Sequence, residues 1–435
     1  MNAPDDFTPE SDLAGTRVLT GLPGNPCPVN SPSTDHLNLS VGLLVVGGGP
    51  AGHSAAAAYR EAGGSGRVVI VSADAVPPYQ RPPLSKDFLR GESDEDSLPL
   101  ESPEFYRDND IELWLSDAVN RMNLADGTAS TQSGRVVSYS GCVLATGCYP
   151  HQLLVPGADH PTVLRLRFLG QAQLLRTAAA RARTAIVIGS GFIGCEAAVS
   201  LARRGLSVTM VSTEELPQLH RLGRGVAERI SGWLADAGVR FRGSADIIEI
   251  REGRTVDLDG GESLTAELIL TAAGATPESA LAQQAGLKLA DGRVVVDERM
   301  ATDWPGVFAA GDVAFARNSA AGRALRVEHW GEALRMGEVA GRNAAGGDDS
   351  WSDVPGFWSQ IGDHTIKYAS WGDGYDSDDL VEHPDGGFTV WYGRDGITVG
   401  VLTVNADDDD ERGRMLIAQA DPLPLPAVAA PAALD

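Results

Sequence analysis

The first sustained apolar run, Val41 to Val46, passes directly into a glycine-rich stretch, Gly47 to Gly52. An alanine-rich segment follows from Ala51 to Ala62, and a second apolar run from Arg67 to Val71. A short apolar run bounded by glycine predicts a buried strand, and the alanine-rich stretch predicts a helix. Together they make one strand–helix–strand unit. The order recurs at Thr184–Ile188, Gly189–Gly194, Cys195–Arg204 and Ser207–Val211. Two such units imply parallel sheets with right-handed crossovers. From Phe357 the pattern changes. Ile366–Ser370, Gly387–Tyr392 and Ile397–Val404 alternate or run apolar between Gly/Asp turns, as antiparallel strands do.

Both glycine stretches fit G-x-G-x-x-G: Gly47, Gly49 and Gly52, then Gly189, Gly191 and Gly194. The first glycine permits the tight turn, the second lets a pyrophosphate approach the backbone, and the third lets helix and strand pack closely. The helix N-terminus then offers unpaired N–H groups to phosphate. One match is weak evidence; two, each between a strand and a helix, predict that the chain binds two dinucleotides. The acid expected about twenty positions on, for a ribose hydroxyl, is displaced in both units. Ala73 precedes Asp74 in the first, so Asp74 is the candidate there. Ser212 precedes Glu214 in the second. Glu214 would hold a 2′-hydroxyl and repel a 2′-phosphate, which favours NADH; Ser212, Arg221 and Arg224 keep NADPH open.

Pro78-Tyr79-Gln80-Arg81-Pro82-Pro83-Leu84-Ser85-Lys86 fixes two cations, Arg81 and Lys86, in a proline-stiffened loop. Val143–Gly147 reads as a strand entering a tight turn, where the small residues Ala145, Thr146 and Gly147 let backbone approach a ligand. Gly306–Val313 places Asp312 at the end of an apolar strand, opening a helix whose dipole would support a bound flavin.

The 435 residues carry 35 Lys+Arg against 59 Asp+Glu, a formal charge of −24. That argues against a nucleic-acid or anionic-membrane binder. Four cysteines (Cys27, Cys142, Cys148, Cys195) with no C-x-x-C spacing make neither a disulfide scaffold nor a zinc site, and no metal site is expected. No run of about 18 apolar residues is present. The acidic start MNAPDDFTPESD lacks the regions of a signal peptide. A cytoplasmic protein without membrane insertion is expected.

These segments resemble the FAD-dependent pyridine-nucleotide reductases of the glutathione-reductase structural family. More narrowly they are similar to the oxygenase-coupled ferredoxin and rubredoxin reductases and the apoptosis-inducing-factor flavoproteins. The motifs that carry the resemblance are Pro78–Lys86, the paired glycine loops, Ala145-Thr146-Gly147, Ala310-Gly311-Asp312 and Arg326-Val327-Glu328-His329-Trp330. The resemblance implies an α/β fold with two Rossmann-like dinucleotide-binding domains and a C-terminal α+β domain. The implied boundaries are a disordered leader at 1–40, an FAD domain in two segments at 41–155 and 276–326, and an NAD(P)H domain at 156–275. A C-terminal domain at 327–405 and an acidic, Pro/Ala-rich tail at 406–435 complete the chain.

Carried over by position, Gly47, Gly49 and Gly52 would cradle FAD and Asp74 would serve its adenosine ribose. Arg81 and Lys86 would contact FAD, Val119 would lie near the adenine, Ala145, Thr146 and Gly147 would line the flavin site, and Asp312 would meet the ribityl chain. Gly189, Gly191, Ile193 and Gly194 would hold NAD(P)H. Glu196 would lie near the nicotinamide and pair with Lys86, and Trp330 would close the nicotinamide side.

The implied activity passes electrons from NADH through FAD to a small iron–sulfur carrier, a ferredoxin or rubredoxin, by a monomer or homodimer. A disulfide reductase would need a redox dithiol after the first glycine loop, and no cysteine lies between Cys27 and Cys142. The acidic chain raises an objection, since ferredoxins are acidic. A local arginine face (Arg165, Arg167, Arg221, Arg224, Arg323, Arg326) would overcome it within a Debye length of about 8–10 Å. Two alternatives stand beside this reading: a stand-alone NAD(P)H oxidoreductase acting on a quinone or biosynthetic substrate, and an NADH-sensing flavoprotein.

Overall fold

A computed structural model describes residues 39–424. The expected leader lies, except for its last two residues, outside the described residues. Leu39 and Ser40 already belong to the first strand, β1 (Leu39–Val46), because Leu39 and Ser40 pair with Val137 and Ser138. Glycine loop and helix α1 (Pro50–Glu61) follow, then β2 (Val68–Val71), parallel to β1. On its other side β1 pairs in parallel with β3 (Val136–Leu144). All four residues of β2 and the last four of β1 are buried, so the strands read as unbroken apolar runs with layers on both faces. The strand Val307–Ala309, far along the chain, joins the same sheet beside β3.

The second unit is a five-stranded, all-parallel sheet. At its centre lie β4 (Thr184–Ile188) and β5 (Ser207–Val211), joined through α2 (Phe192–Arg203). The carboxyl ends of β1 and β4 each run into a glycine loop, the place where open α/β sheets bind nucleotides.

The C-terminal module is a five-stranded antiparallel sheet with β6 (Gly356–Ile361) at one edge. Two differences from the sequence expectation concern its borders. Helix α3 (Trp330–Ala344), assigned to the C-terminal domain by the 327 boundary, packs along α1 instead. A Cβ on Gly341 would lie 2.1 Å from the Ala55 carbonyl oxygen, so glycine is what lets the two backbones approach. The expected acidic tail from 406 opens as a helix, α4 (Asp407–Gln419), not as solvated chain. Four aspartates fill its first turn, where the helix dipole favours negative charge. Asp407 pairs with Lys367 at 2.7 Å, Thr389 donates to Asp409 at 2.6 Å, and Ile417 is buried. Residues 425–435 lie outside the described residues. No helix among the described residues is long and apolar enough to cross a membrane.

Candidate active site

The first glycine loop is held by sterics. Gly47 has φ +121°, and a Cβ there would meet the Ala145 carbonyl oxygen at 2.2 Å. A Cβ on Gly49, by contrast, would meet nothing nearer than the Arg81 guanidinium at 3.5 Å. The loop thus turns tightly on one side and presents open backbone under a cation on the other. Around it lie Ala145, Thr146, Gly147, Arg167, Asp312 and Trp330, lining one cleft. Thr146 is fixed by donating its hydroxyl to the Glu278 carbonyl at 2.5 Å, and Gly147 turns with φ +71°.

The cleft is lined by two guanidiniums, Arg81 and Arg167, and two carboxylates, Asp312 and Glu328, the latter paired with Arg293. Arg81 and Arg167 are near neighbours, and burial followed by Arg167 pushes the Arg81 guanidinium down from its ordinary value. Asp312, almost wholly buried, is ion-paired with Arg167 and accepts from the Cys148 thiol at 3.1 Å. Arg81 Nε, Arg167 Nε and Trp330 Nε1 are buried with no hydrogen-bond partner. Leaving such donors unmatched costs about 1–3 kcal/mol each. Two guanidiniums and three orphaned donors beside the open backbone of Gly49 fit an anionic dinucleotide such as FAD.

Asp312 itself departs from expectation. It sits in a three-residue turn, Gly311–Val313, followed by a strand, and not at the start of a helix. Three residues align too few peptide dipoles to support a charge. The helix whose N-terminus lies here is α3, with Ala333 packed on Gly311. Asp74 accepts from the Tyr79 hydroxyl at 2.8 Å. Val119 is half-buried on a strand that begins two residues after Asp117, whose N–H bonds Ser72 on the Asp74 turn at 3.0 Å.

Arg81 and Lys86 part company. Lys86 points to the other unit, where its ammonium pairs with Glu196 of α2 at 2.7 Å. Both side chains are about 5% exposed. Glu196 Oε2 also accepts from Ser85 Oγ at 2.5 Å, while Oε1 accepts from Ser359 Oγ at 2.7 Å and from the Gln360 N–H at 3.3 Å. Lys86 additionally reaches the Pro82 carbonyl at 3.1 Å and lies 4.8 Å over the Trp358 ring. One carboxylate therefore ties the Pro78–Lys86 loop, α2 and β6 together. Ser85, Ser359 and Gln360 were not singled out in the sequence, since no local pattern marks a serine that will bond a residue more than a hundred positions away.

The second glycine loop repeats the first. Gly189 has φ +105° with the Ala272 carbonyl 2.5 Å from where a Cβ would lie, and a Cβ on Gly194 would meet the Gly189 carbonyl at 2.1 Å. Gly191 caps α2, and Ile193 is exposed beside it. Glu214 stands at the loop's edge, accepting from His220 Nδ1 at 2.8 Å and lying 3.5 Å from Ser190 Oγ. Ser212 bonds Ser190 at 2.7 Å and is spent on that contact.

Four of the six arginines expected to form a docking face are paired with carboxylates, while Arg165 and the exposed Arg221 carry no ion pair among the described residues. Arg167 is buried against Asp312, Arg224 pairs with Glu215 at 3.1 Å, Arg326 pairs with Asp291 at 2.5 Å, and Arg323 pairs with Asp373. Arg167 belongs to the cofactor cleft, a role its sequence context hides. Cys142, Cys148 and Cys195 are free and buried. A larger surface cavity of about 710 Å³, lined by Phe88, Arg176 and Arg204, contains none of the residues above.

Residues 42–337 match the pyridine nucleotide-disulphide oxidoreductase family model, and residues 356–434 match the reductase C-terminal model. The chain is 31% identical over 329 residues to a rubredoxin-NAD(+) reductase of Pseudomonas putida, covering 75% of this chain and 85% of the relative. It is 30% identical over 390 residues to rhodocoxin reductase of Rhodococcus erythropolis, covering 88% and 90%. Among solved structures, a ferredoxin reductase from Rhodopseudomonas palustris superposes with TM-score 0.83 at 28% identity, over 87% of this chain and 95% of the other. The reductase in a covalent putidaredoxin reductase–putidaredoxin complex superposes with TM-score 0.82 at 28% identity, over 88% and 94%.

Proposed function

The chain belongs to the pyridine nucleotide-disulphide oxidoreductase family, and from that premise we propose that it is an FAD-dependent NADH oxidoreductase delivering electrons to a ferredoxin- or rubredoxin-type carrier. The observation that carries the reading is the buried Lys86–Glu196 pair, which joins the two nucleotide units at the point where they meet. Bound FAD supplies a two-electron acceptor that releases electrons singly to a one-electron partner.

The residues supply binding, alignment and exclusion of water. Arg81 and Arg167 would neutralise the pyrophosphate laid over Gly47, Gly49 and Gly52, and their Nε donors would find partners there. Asp312 would accept from a ribityl hydroxyl, and Trp330 would close the cleft. Asp74, held by Tyr79, would take the adenosine ribose, with Val119 lining the adenine end. Glu196 fixes Lys86 where the units meet, so that the buried ammonium would already be oriented when FAD and NADH bind. Gly189, Gly191, Ile193 and Gly194 would hold NADH. Glu214 would accept the 2′-hydroxyl of its ribose and repel a 2′-phosphate, while Arg224, the natural phosphate partner, is engaged by Glu215.

The described thiols do not make a disulfide reductase: Cys148 is spent on Asp312, and Cys195 donates to the Ser190 carbonyl at 3.5 Å. A reducing cytoplasm suits three free, buried thiols. One observation favours a second reading, an acceptor that is a small molecule: Arg224, Arg323 and Arg326 carry carboxylate partners, so that Arg165 and Arg221 are what is left of the six arginines to steer an acidic carrier. The test is anaerobic mixing of the flavin-loaded protein with NADH and, separately, NADPH. Rapid loss of flavin colour with NADH and slow loss with NADPH is expected; no loss with either nucleotide would overturn the proposal.

A further inference from the structure

Cys148 follows Gly147 at the floor of the flavin cleft, and the mechanism above gives its thiol no task. It is 1% exposed and opens the short strand Cys148–Pro150, which pairs with Ala275–Pro277. Two contacts just before it fix where that strand begins. Thr146 donates its hydroxyl to the Glu278 carbonyl at 2.5 Å, and the Gly147 carbonyl accepts from the Glu278 N–H at 2.9 Å. The thiol is therefore carried on backbone with little room to shift.

Its partner is a carboxylate. The thiol donates to Asp312 Oδ2 at 3.1 Å, whereas Cys195, equally buried, reaches only the Ser190 carbonyl at 3.5 Å. Arg167 is ion-paired with the same Oδ2 through Nη2. The two donors come from separate segments, Cys148 directly after the flavin-lining turn and Arg167 two residues past the strand Val163–Arg165. Among the described residues no hydrogen bond reaches Oδ1, and Asp312 lines the cleft beside Thr146, Gly147 and Trp330. One oxygen is tied down and the other is left to a ligand. Burial, then Asp312 itself, pushes the Cys148 thiol well above its ordinary value, so it stays protonated and stays a donor. A donor that does not ionise sits against a buried carboxylate without adding a second negative charge.

We propose that Cys148 is a positioning residue for FAD: together with Arg167, its thiol holds the Asp312 carboxylate with Oδ1 ready for a ribityl hydroxyl. This rests on the cofactor reading above. Arg167 supplies the charge and Cys148 the direction. An ion pair alone leaves a carboxylate free to pivot about its side-chain bonds. A second donor on the same oxygen removes that freedom before the ligand arrives, which lowers the ordering cost of binding. No electron or proton leaves the thiol in this role.

The experiment titrates FAD into the full chain freed of flavin and follows flavin fluorescence. Cys148→Ala removes the donor, Cys148→Ser keeps an O–H, and Cys148→Ala is repeated in an Asp312→Ala background. FAD affinity falls about 3- to 10-fold in Cys148→Ala, the worth of one hydrogen bond, and Cys148→Ser recovers part of the loss. In the Asp312→Ala background the same change at position 148 has no effect. Equal affinity of wild type and Cys148→Ala overturns the proposal. So does an undiminished loss without Asp312, which would mark a packing defect instead of a lost contact. A second readout needs no ligand: the infrared S–H stretching band of Cys148, assigned by its disappearance in Cys148→Ala, shifts to higher frequency in Asp312→Ala. An unmoved band overturns the proposal as well. Failure of the wild type to bind FAD would instead strike the cofactor reading on which the proposal rests.

Discussion

Replacing Lys86 with methionine keeps the aliphatic stem and removes the charge. Glu196 is then left buried without its cation. Removing one partner of a buried ion pair costs about 3–5 kcal/mol, because the other charge loses its compensation. Here the carboxylate retains three donors, Ser85 and Ser359 hydroxyls and the Gln360 N–H. Each hydrogen bond to a charged group is worth about 1.5–3 kcal/mol, and none of them is lost. The expected cost of Lys86→Met is therefore at the low end, about 3 kcal/mol. Glu196→Gln strands the ammonium, which keeps only the Pro82 carbonyl and the Trp358 face, and is expected to cost a similar amount. The double variant removes both charges while conserving volume, and such replacements are close to neutral. Urea unfolding of the four proteins at fixed FAD concentration measures the cycle, since bound FAD itself adds stability by mass action. A coupling energy of about 2 kcal/mol or more, with the double variant more stable than either single, is the expected result. A Lys86→Met cost below about 1 kcal/mol, or strictly additive effects, would refute the claim that one buried pair clamps the three segments together.

Glu214→Ser should move coenzyme preference toward NADPH by about 10- to 100-fold in the ratio of kcat/KM values, the worth of one charge-assisted hydrogen bond and one repulsion, with steady-state kinetics as the check. Arg81→Met should weaken FAD binding about 10- to 100-fold, read by flavin fluorescence on dilution, because a charge-assisted contact to phosphate is lost. His53, on α1 and 3.1 Å from the Tyr106 hydroxyl, is held by burial at about 4 against 6.5 when unfolded. The folded ring resists protonation, so its contribution is fully present above pH 6.5 and is lost as pH falls toward 4, up to about 3 kcal/mol in all. His53→Asn should flatten the acid limb of a stability–pH profile between those values; an unchanged slope would show that the ring is not held neutral.

Both glycine loops were legible in the sequence because their constraint is local: Gly47 and Gly189 need positive φ, and Gly52 and Gly194 need backbone contact within a few residues. Their flanking strands and helices followed within a few residues for the same reason. Arg167 was not legible. It looks like surface charge next to Arg165, yet the chain leaves its strand at Arg165 and the next turn carries Arg167 inward to a carboxylate 145 residues further on. The hub around Glu196 was half visible, as a Lys–Glu pair implied by resemblance, while its serines come from two remote segments. The run Asp407–Asp410 does carry a signal, since acids concentrate in first helical turns, but it reads equally as a solvated tail until Ile417 is seen to be buried. Ser377–Glu382, an edge strand with two exposed aspartates, lacks the apolar alternation that would announce it.

The central claim is that electrons leave through a protein carrier. The most direct test reduces the FAD-loaded protein with NADH under anaerobic conditions, then supplies an oxygenase-type ferredoxin or a rubredoxin with cytochrome c as the final sink. Cytochrome reduction that depends on, and saturates with, the iron–sulfur protein is the predicted result. Rapid reduction by NADH with no transfer to any ferredoxin or rubredoxin would contradict the claim and assign the electrons to a small-molecule acceptor.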